Sequence, residues 1–172
     1  MLGVQMRIQS SKVIEAQMWA IGAPPQVMAF SEAYHALSTG VVDGTENTPA
    51  NMFNQKMSEV QSHVTMTNHG YLGYAVISNA EFWNGLPKDV REALERAIAE
   101  TTPVANALAL KENDDALEEM KKAGGTTFYT PTAEQRAQWI AAFLPVHKEM
   151  ENRVGRDLID RIYAATGRAQ GH

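Results

Sequence analysis

The chain predicts an α/β domain built on a mainly parallel sheet, and three observations point to it. Short apolar runs alternate with helix patterns, β-α-β-α-β-α, over the first 60 residues, the arrangement that gives parallel strands covered by helices. Each of the three runs is followed almost at once by a helix start. The runs also end in residues that are not simply aliphatic: Arg7, Phe30 and Asn47 stand where strands hand over to helices. Open α/β sheets bind ligands outside the carboxyl ends of their strands, so this end of the sheet reads as a pocket for a small anion.

Residues 4–9 are the first strand. Ser11 is the N-cap of the first helix, and Ile14, Met18 and Ile21 fall on one face at i, i+4 and i+7. Gly22 ends that helix. Residues 26–30 are the second strand; Ser31 caps a short helix carrying Tyr34 and Leu37, which Gly40 closes. Residues 41–44 are the third strand. Thr48 is then an N-cap followed by Pro49 at the first helical position, with Phe53, Met57 and Val60 as the apolar face.

Residues 63–67 and 71–78 are two further strands, the second nearly all apolar, as in a strand buried on both faces. Residues 88–122 are one long helix with Val90, Leu94 and Ala97/Ile98 on one face. Pro103 is expected to kink or interrupt it, because proline removes a donor and crowds the preceding turn. Gly124 and Gly125 stop the helix, residues 126–129 are a short strand, and Thr132 with Gln135 forms a capping box. The helical tail beyond carries Trp139, Ile140, Phe143, Val154, Leu158 and Ile162 for packing.

At 172 residues the chain is one domain, or one and a part, and its 44% hydrophobic content is enough for an ordinary core. A net charge of −5 with no basic run argues against nucleic acid as a partner. The absence of cysteine excludes disulfides and thiolate metal sites. No run approaches the roughly 20 apolar residues of a membrane span, and the first residues lack the basic and apolar regions of a signal peptide. The methionines fall at helical spacing and read as core. The five histidines, His35, His63, His69, His147 and His172, show no metal-ligand spacing, and no phosphate-loop or nucleophile motif is present. No metal or cofactor is expected.

Arg7 admits two readings: an edge-strand arginine reaching solvent, or a carboxylate anchor whose planar fork stays charged when partly buried. Asn47 is either a turn residue before Thr48-Pro49 or a group that orients a ligand. Phe30 is core by default and a pocket wall if the strand end is open. Glu46 and His69 could form a hydrogen-bonded pair holding a crossover, or, with Asp43, acid–base apparatus of a small enzyme.

At these residues a resemblance becomes specific. Met28 to Glu32, Tyr34, Ala36-Leu37, Gly40, Val42 to Gly44, Glu46-Asn47, Gln55-Lys56, Glu59 to Gln61 and Thr67 to His69 resemble the DctP family. These are the substrate-binding proteins of TRAP (tripartite ATP-independent periplasmic) transporters. The segment Phe82 to Arg91 fits as well, and the likeness weakens after Gly125. The resemblance implies a type II periplasmic-binding-protein-like α/β lobe, a parallel-type sheet covered by helices, plus a crossing strand and a long helix: part of a two-lobed fold.

On that likeness residues 1–70 are most of one ligand-binding lobe, 71–125 the crossing strand and long helix shared with a second lobe, and 126–172 a short strand and helices packing on the lobes. Arg7 is then the group that salt-bridges a ligand carboxylate, Asn47 hydrogen-bonds it and Phe30 lines the pocket. Ser10, Glu46 and His69 match positions near the ligand or hinge. Family members carry a secretion signal and a second lobe, and this chain matches only their second half, so the resemblance implies a C-terminal fragment. The implied function is periplasmic capture of an organic carboxylate, such as a C4-dicarboxylate or keto acid, for the small and large TRAP membrane subunits. It is binding and not catalysis. With one cleft wall missing, Arg7 is expected to face solvent and hold carboxylates weakly, and bare apolar faces are expected to make the fragment self-associate; an inert self-associating fragment is the bland alternative.

Overall fold

A computed structural model describes residues 3–167; His172 and the last part of the tail lie outside the described residues. Strand β1 (Met6–Ile8) leads through α1 (Lys12–Ala20) to β2 (Pro25–Val27). A single 3-10 turn (Phe30–Glu32) and α2 (Ala33–Ser38) lead to β3 (Gly44–Thr45). All three strands are parallel, in the order β2-β1-β3, with Arg7 facing Gln26 on one side and Thr45 on the other. The β-α-β-α-β reading therefore holds, and β1 is the centre of the sheet.

Local sequence explains the helix starts. Ser11 Oγ accepts the Ile14 N–H at 3.3 Å, satisfying one of the orphan donors of α1. Thr48 caps α3 (Pro49–Asn54), with proline at the first position. At Thr132 the capping box is complete: Gln135 N–H donates to Thr132 Oγ1 at 3.3 Å, and Thr132 N–H to Gln135 Oε1 at 2.9 Å. Ser31 is not a cap, however. The turn starts one residue earlier, where Glu32 Oε2 reaches back to the Ala29 N–H at 3.2 Å. Nor does the helix from Thr48 reach Val60. Lys56 adopts φ +54° and breaks it, and a 3-10 turn (Met57–Glu59) follows, so Met52 and Met57 are buried while Phe53 is 44% exposed.

Strand β4 (His63–Thr65) pairs in parallel with β5 (Thr127–Tyr129), although 36-residue α5 (Lys88–Ala123) lies between them in sequence. α4 (Ala80–Gly85) precedes α5; α6 (Ala133–Glu149), α7 (Glu151–Val154) and α8 (Arg156–Thr166) follow β5. α5 runs through Pro103 without a break. The proline sits on an exposed stretch, where water can satisfy the carbonyl it leaves without a donor. Gly124 and Gly125, at φ +72° and +82°, end the helix in a conformation that side chains resist.

Methionines fill much of the core. One cluster joins Ala33, Leu37, Val42, Met52 and Met57 to Met120 of α5, with Phe30 and Phe128 packed against it; the other joins Met6, Ile8, Met18 and Ala23. α3 packs on α5 and α1 on α6. One expectation fails here. Residues 71–78 join no sheet: Tyr71, Tyr74, Val76 and Ile77 are 87–94% exposed. A strand needs partners for its backbone, and among the described residues no neighbouring strand supplies them. The stripe Val90, Leu94 and Ile98 is likewise about two-fifths exposed.

Met120, 2% exposed, is the point at which α5 is anchored to the core. Met120→Ala should cost about 2–5 kcal/mol in urea unfolding, whereas Leu110→Ala, at a position 67% exposed on the same helix, should stay within about 0.5 kcal/mol. Equal losses at both positions would mean that α5 is held along its whole length.

Candidate functional site

Arg7 is the buried charged residue at the middle of the sheet, 1% exposed. It is neither an edge arginine nor solvent-facing, because β1 has a strand on each side. Its Nε and Nη2 both donate to the Met28 carbonyl, at 3.1 and 2.7 Å, and its Cζ lies 5.8 Å from the centre of the Phe30 ring. Nη1 is buried and has no acceptor. Burial pushes the Arg7 pKa down and nearby Glu46 pulls it back up; an arginine stays charged throughout.

Glu46 and Asn47 follow β3. Asn47 Oδ1 accepts the Thr48 N–H at 2.9 Å and the Asn51 side-chain N–H at 2.7 Å. The Thr48 N–H can only donate, so the other face of the Asn47 amide must be its NH2. That Nδ2 is buried and unpaired. α5 also steadies this corner, because Asn113 Oδ1 accepts the Ala50 N–H at 3.1 Å.

Glu46 Oε1 is buried without a donor, and Oε2 lies 3.8 Å from His69 Nε2, beyond hydrogen-bond reach. Burial raises the Glu46 pKa and Arg7 opposes the rise; burial lowers that of His69. His69 Nδ1 is paired with Thr67 Oγ1 at 2.7 Å, and its ring stands 6.2 Å from Phe143 of α6. A cavity of about 840 Å³ is lined by Ser10, Glu46, Asn47 and His69, with Tyr71, Leu72 and Trp139 closing other sides. Arg7 and Phe30 do not line it.

Residues 1–153 match the family DctP, described as bacterial extracellular solute-binding protein, family 7. The chain belongs to this family. It is 62% identical over 165 residues to the C4-dicarboxylate-binding periplasmic protein DctP of Rhodobacter capsulatus, a match covering 96% of this chain and 50% of that protein. The namesake in Vibrio cholerae is 43% identical over 95% of this chain and 49% of its own length. The crystal structure of a TRAP periplasmic solute-binding protein from Shewanella oneidensis with bound succinate superposes with a TM-score of 0.91 at 35% identity, covering 95% of this chain and 54% of that one. One from Pseudomonas aeruginosa with bound L-malate gives 0.82 at 37%, over 86% and 52%. The chain thus spans about half the length of the DctP-family proteins it matches.

The α/β periplasmic-binding-protein-like lobe expected from the resemblance is the fold observed. A solute-binding family is not a family of enzymes, and Asp43, third member of the enzyme reading, has its Oδ2 occupied by the Gln5 N–H at 2.7 Å. The fold brings Arg7 to Phe30 and Glu46 to His69, and sets Ser10 on the same cavity as Asn47. Sequence reasoning missed Thr67, Asn51, Asn113 and the Met28 carbonyl. Asn51, four residues after Asn47, carried a helical-spacing signal; the Met28 carbonyl, like every main-chain group, carried none.

The burial of neutral His69 has a consequence for stability. Its folded pKa lies below the ordinary 6.5, so the unfolded chain binds the proton more readily, and stability is lost as pH falls from about 6.5 toward the folded value. The melting temperature of His69→Gln should lack that part of the acid loss shown by the natural chain. Parallel pH curves for the two proteins would show that His69 is protonated equally in both states.

Proposed function

We propose that this chain forms the carboxylate-holding portion of the receptor of a TRAP transporter, taking up a C4-dicarboxylate in the periplasm and passing it to the small and large membrane subunits. The observation that carries the reading is a pair of buried donors without acceptors, Arg7 Nη1 and Asn47 Nδ2. A buried donor left unpaired costs about 1–3 kcal/mol, and a carboxylate accepts from both. The guanidinium fork anchors the ligand, the Asn47 amide orients it and Phe30 shields its carbon skeleton. Ser10, Glu46 and His69 complete the polar surroundings. In this reading residues 1–70 are the binding lobe, 71–125 cross toward a second lobe, and 126–172 pack on both. The relatives named for C4-dicarboxylates, and the relatives holding succinate and malate, support the choice of ligand. Because Arg7 is so deeply buried, a carboxylate reaches Nη1 only as surrounding side chains move aside.

Millimolar succinate should shift the Asn47 side-chain amide signal in NMR spectra of the chain. Arg7→Ala should weaken binding by about 2–5 kcal/mol, and Arg7→Lys should also bind poorly because it keeps the charge but loses the fork. Asn47→Ala should cost about 1–3 kcal/mol of affinity while the fold persists. Unchanged succinate affinity in folded Arg7→Ala removes the arginine from the site. Phe30 packs against the core cluster as well as beside Arg7, so its variant reports both stability and binding.

A second property, self-association, is favoured by the bare segment at 71–78, where Tyr71, Tyr74 and Ile77 are 88–94% exposed. A contiguous apolar surface of this kind drives association, and unpaired backbone beside it is a template for another chain. Light scattering should find dimers or larger species whose mass falls to that of the monomer in the double variant Tyr74→Lys, Ile77→Lys. A natural chain that stays monomeric at high concentration rules this out.

A further inference from the structure

The group of charges around Arg7 is balanced before any ligand arrives, and that balance sets a condition on binding. Arg7 contributes one positive charge and Glu46 one negative, while burial favours neutral His69. The three come from different parts of the chain: β1, the residues after β3 and the residues after β4. The side chains of His69 and Glu46 are only 18% and 16% exposed. A carboxylate placed on Arg7 makes two negative groups compete for one guanidinium, and like charges in a shared site cannot both stay ionised cheaply.

We infer that binding of a carboxylate in this site takes up one proton, held by the Glu46–His69 pair. This rests on the reading of Arg7 and Asn47 as the carboxylate site. The pair is set up to receive the proton. Thr67 Oγ1, 2.7 Å from Nδ1, fixes the imidazole so that Nε2 lies 3.8 Å from Glu46 Oε2. In the doubly protonated ring both nitrogens donate, Nδ1 to the Thr67 hydroxyl and Nε2 to the Glu46 carboxylate. A small approach then turns the contact into a charge-assisted hydrogen bond. The ligand's negative charge is matched by the new imidazolium, and the buried group is neutral again.

Other titratable groups near the pair are poor homes for this proton. Asp43 and His63 line the same cavity. Asp43 Oδ2 already accepts the Gln5 N–H at 2.7 Å, and His63 is exposed, with Nδ1 paired to Ser62 Oγ at 2.8 Å. α6 presents to His69 the uncharged ring of Phe143. The direction of the linkage follows: the liganded pKa of the pair is higher than the free one. Affinity is therefore full below the free pKa, falls up to about tenfold per pH unit between the two values, and levels off above the liganded one.

The test is NMR titration of the chain, following the His69 ring and the Asn47 side-chain amide, in millimolar sodium succinate and in sodium chloride of matched ionic strength. Succinate should shift the Asn47 amide and raise the His69 pKa. In Glu46→Gln the site starts with one surplus positive charge, so succinate should still shift the Asn47 amide but leave the His69 pKa in place. An Asn47 shift with an unmoved His69 pKa in the natural chain overturns proton uptake and leaves the carboxylate site standing. So does a His69 rise of full size in Glu46→Gln, which would be the ligand's own field and not the pair. No Asn47 shift in the natural chain removes the carboxylate site, and the proton uptake with it.

Discussion

A guanidinium held inside the sheet is the constraint on which the surrounding polar cluster depends. Arg7 occupies the middle of the central strand, where both neighbouring positions are taken by β2 and β3. A charge there is tolerated only if it is hydrogen-bonded and compensated. The Met28 carbonyl takes two of its donors, and Glu46 supplies the opposite charge nearby. Met28 is placed by the end of β2, and Glu46 by the end of β3. The parallel order β2-β1-β3 is therefore also what assembles the polar cluster, and a change of register in any of the three strands would strand a buried charge.

Glu46 in turn ties the sheet to the second half of the molecule. It faces His69, whose ring is oriented by Thr67 and flanked by Phe143 of α6. Shortly beyond His69, Tyr71, Tyr74, Val76 and Ile77 are open to solvent. This polar corner thus borders a stretch open to solvent. Relatives about twice as long share this half of the fold.

The features legible in the sequence were those with local causes. Ser11, Thr48 and Thr132 cap helices because a hydroxyl and the next turn are all a cap requires. Gly40 and Gly124 end helices because they alone adopt positive φ at little cost. What could not be read depended on neighbours remote in sequence. The composition at 71–78 is that of a buried strand, yet strand formation is a property of a pair, and no partner is at hand. Whether Arg7 stood at an edge or in the centre depended on strand order, which its own run of residues does not encode. The pairing of Glu46 with His69 was one of two open readings of those residues, and the structure sets them 3.8 Å apart. The Asn47 donor became identifiable only when Thr48 was seen to occupy the amide oxygen.

In the proposed site a ligand carboxylate completes the two donors which the fold leaves unpaired, Arg7 Nη1 and Asn47 Nδ2. A crystal structure of the chain grown with succinate addresses it most directly. The expected result is a ligand carboxylate within hydrogen-bond distance of both nitrogens, with Phe30 against the methylene carbons. Succinate bound with Arg7 Nη1 still unpaired beside the Met28 carbonyl would contradict it.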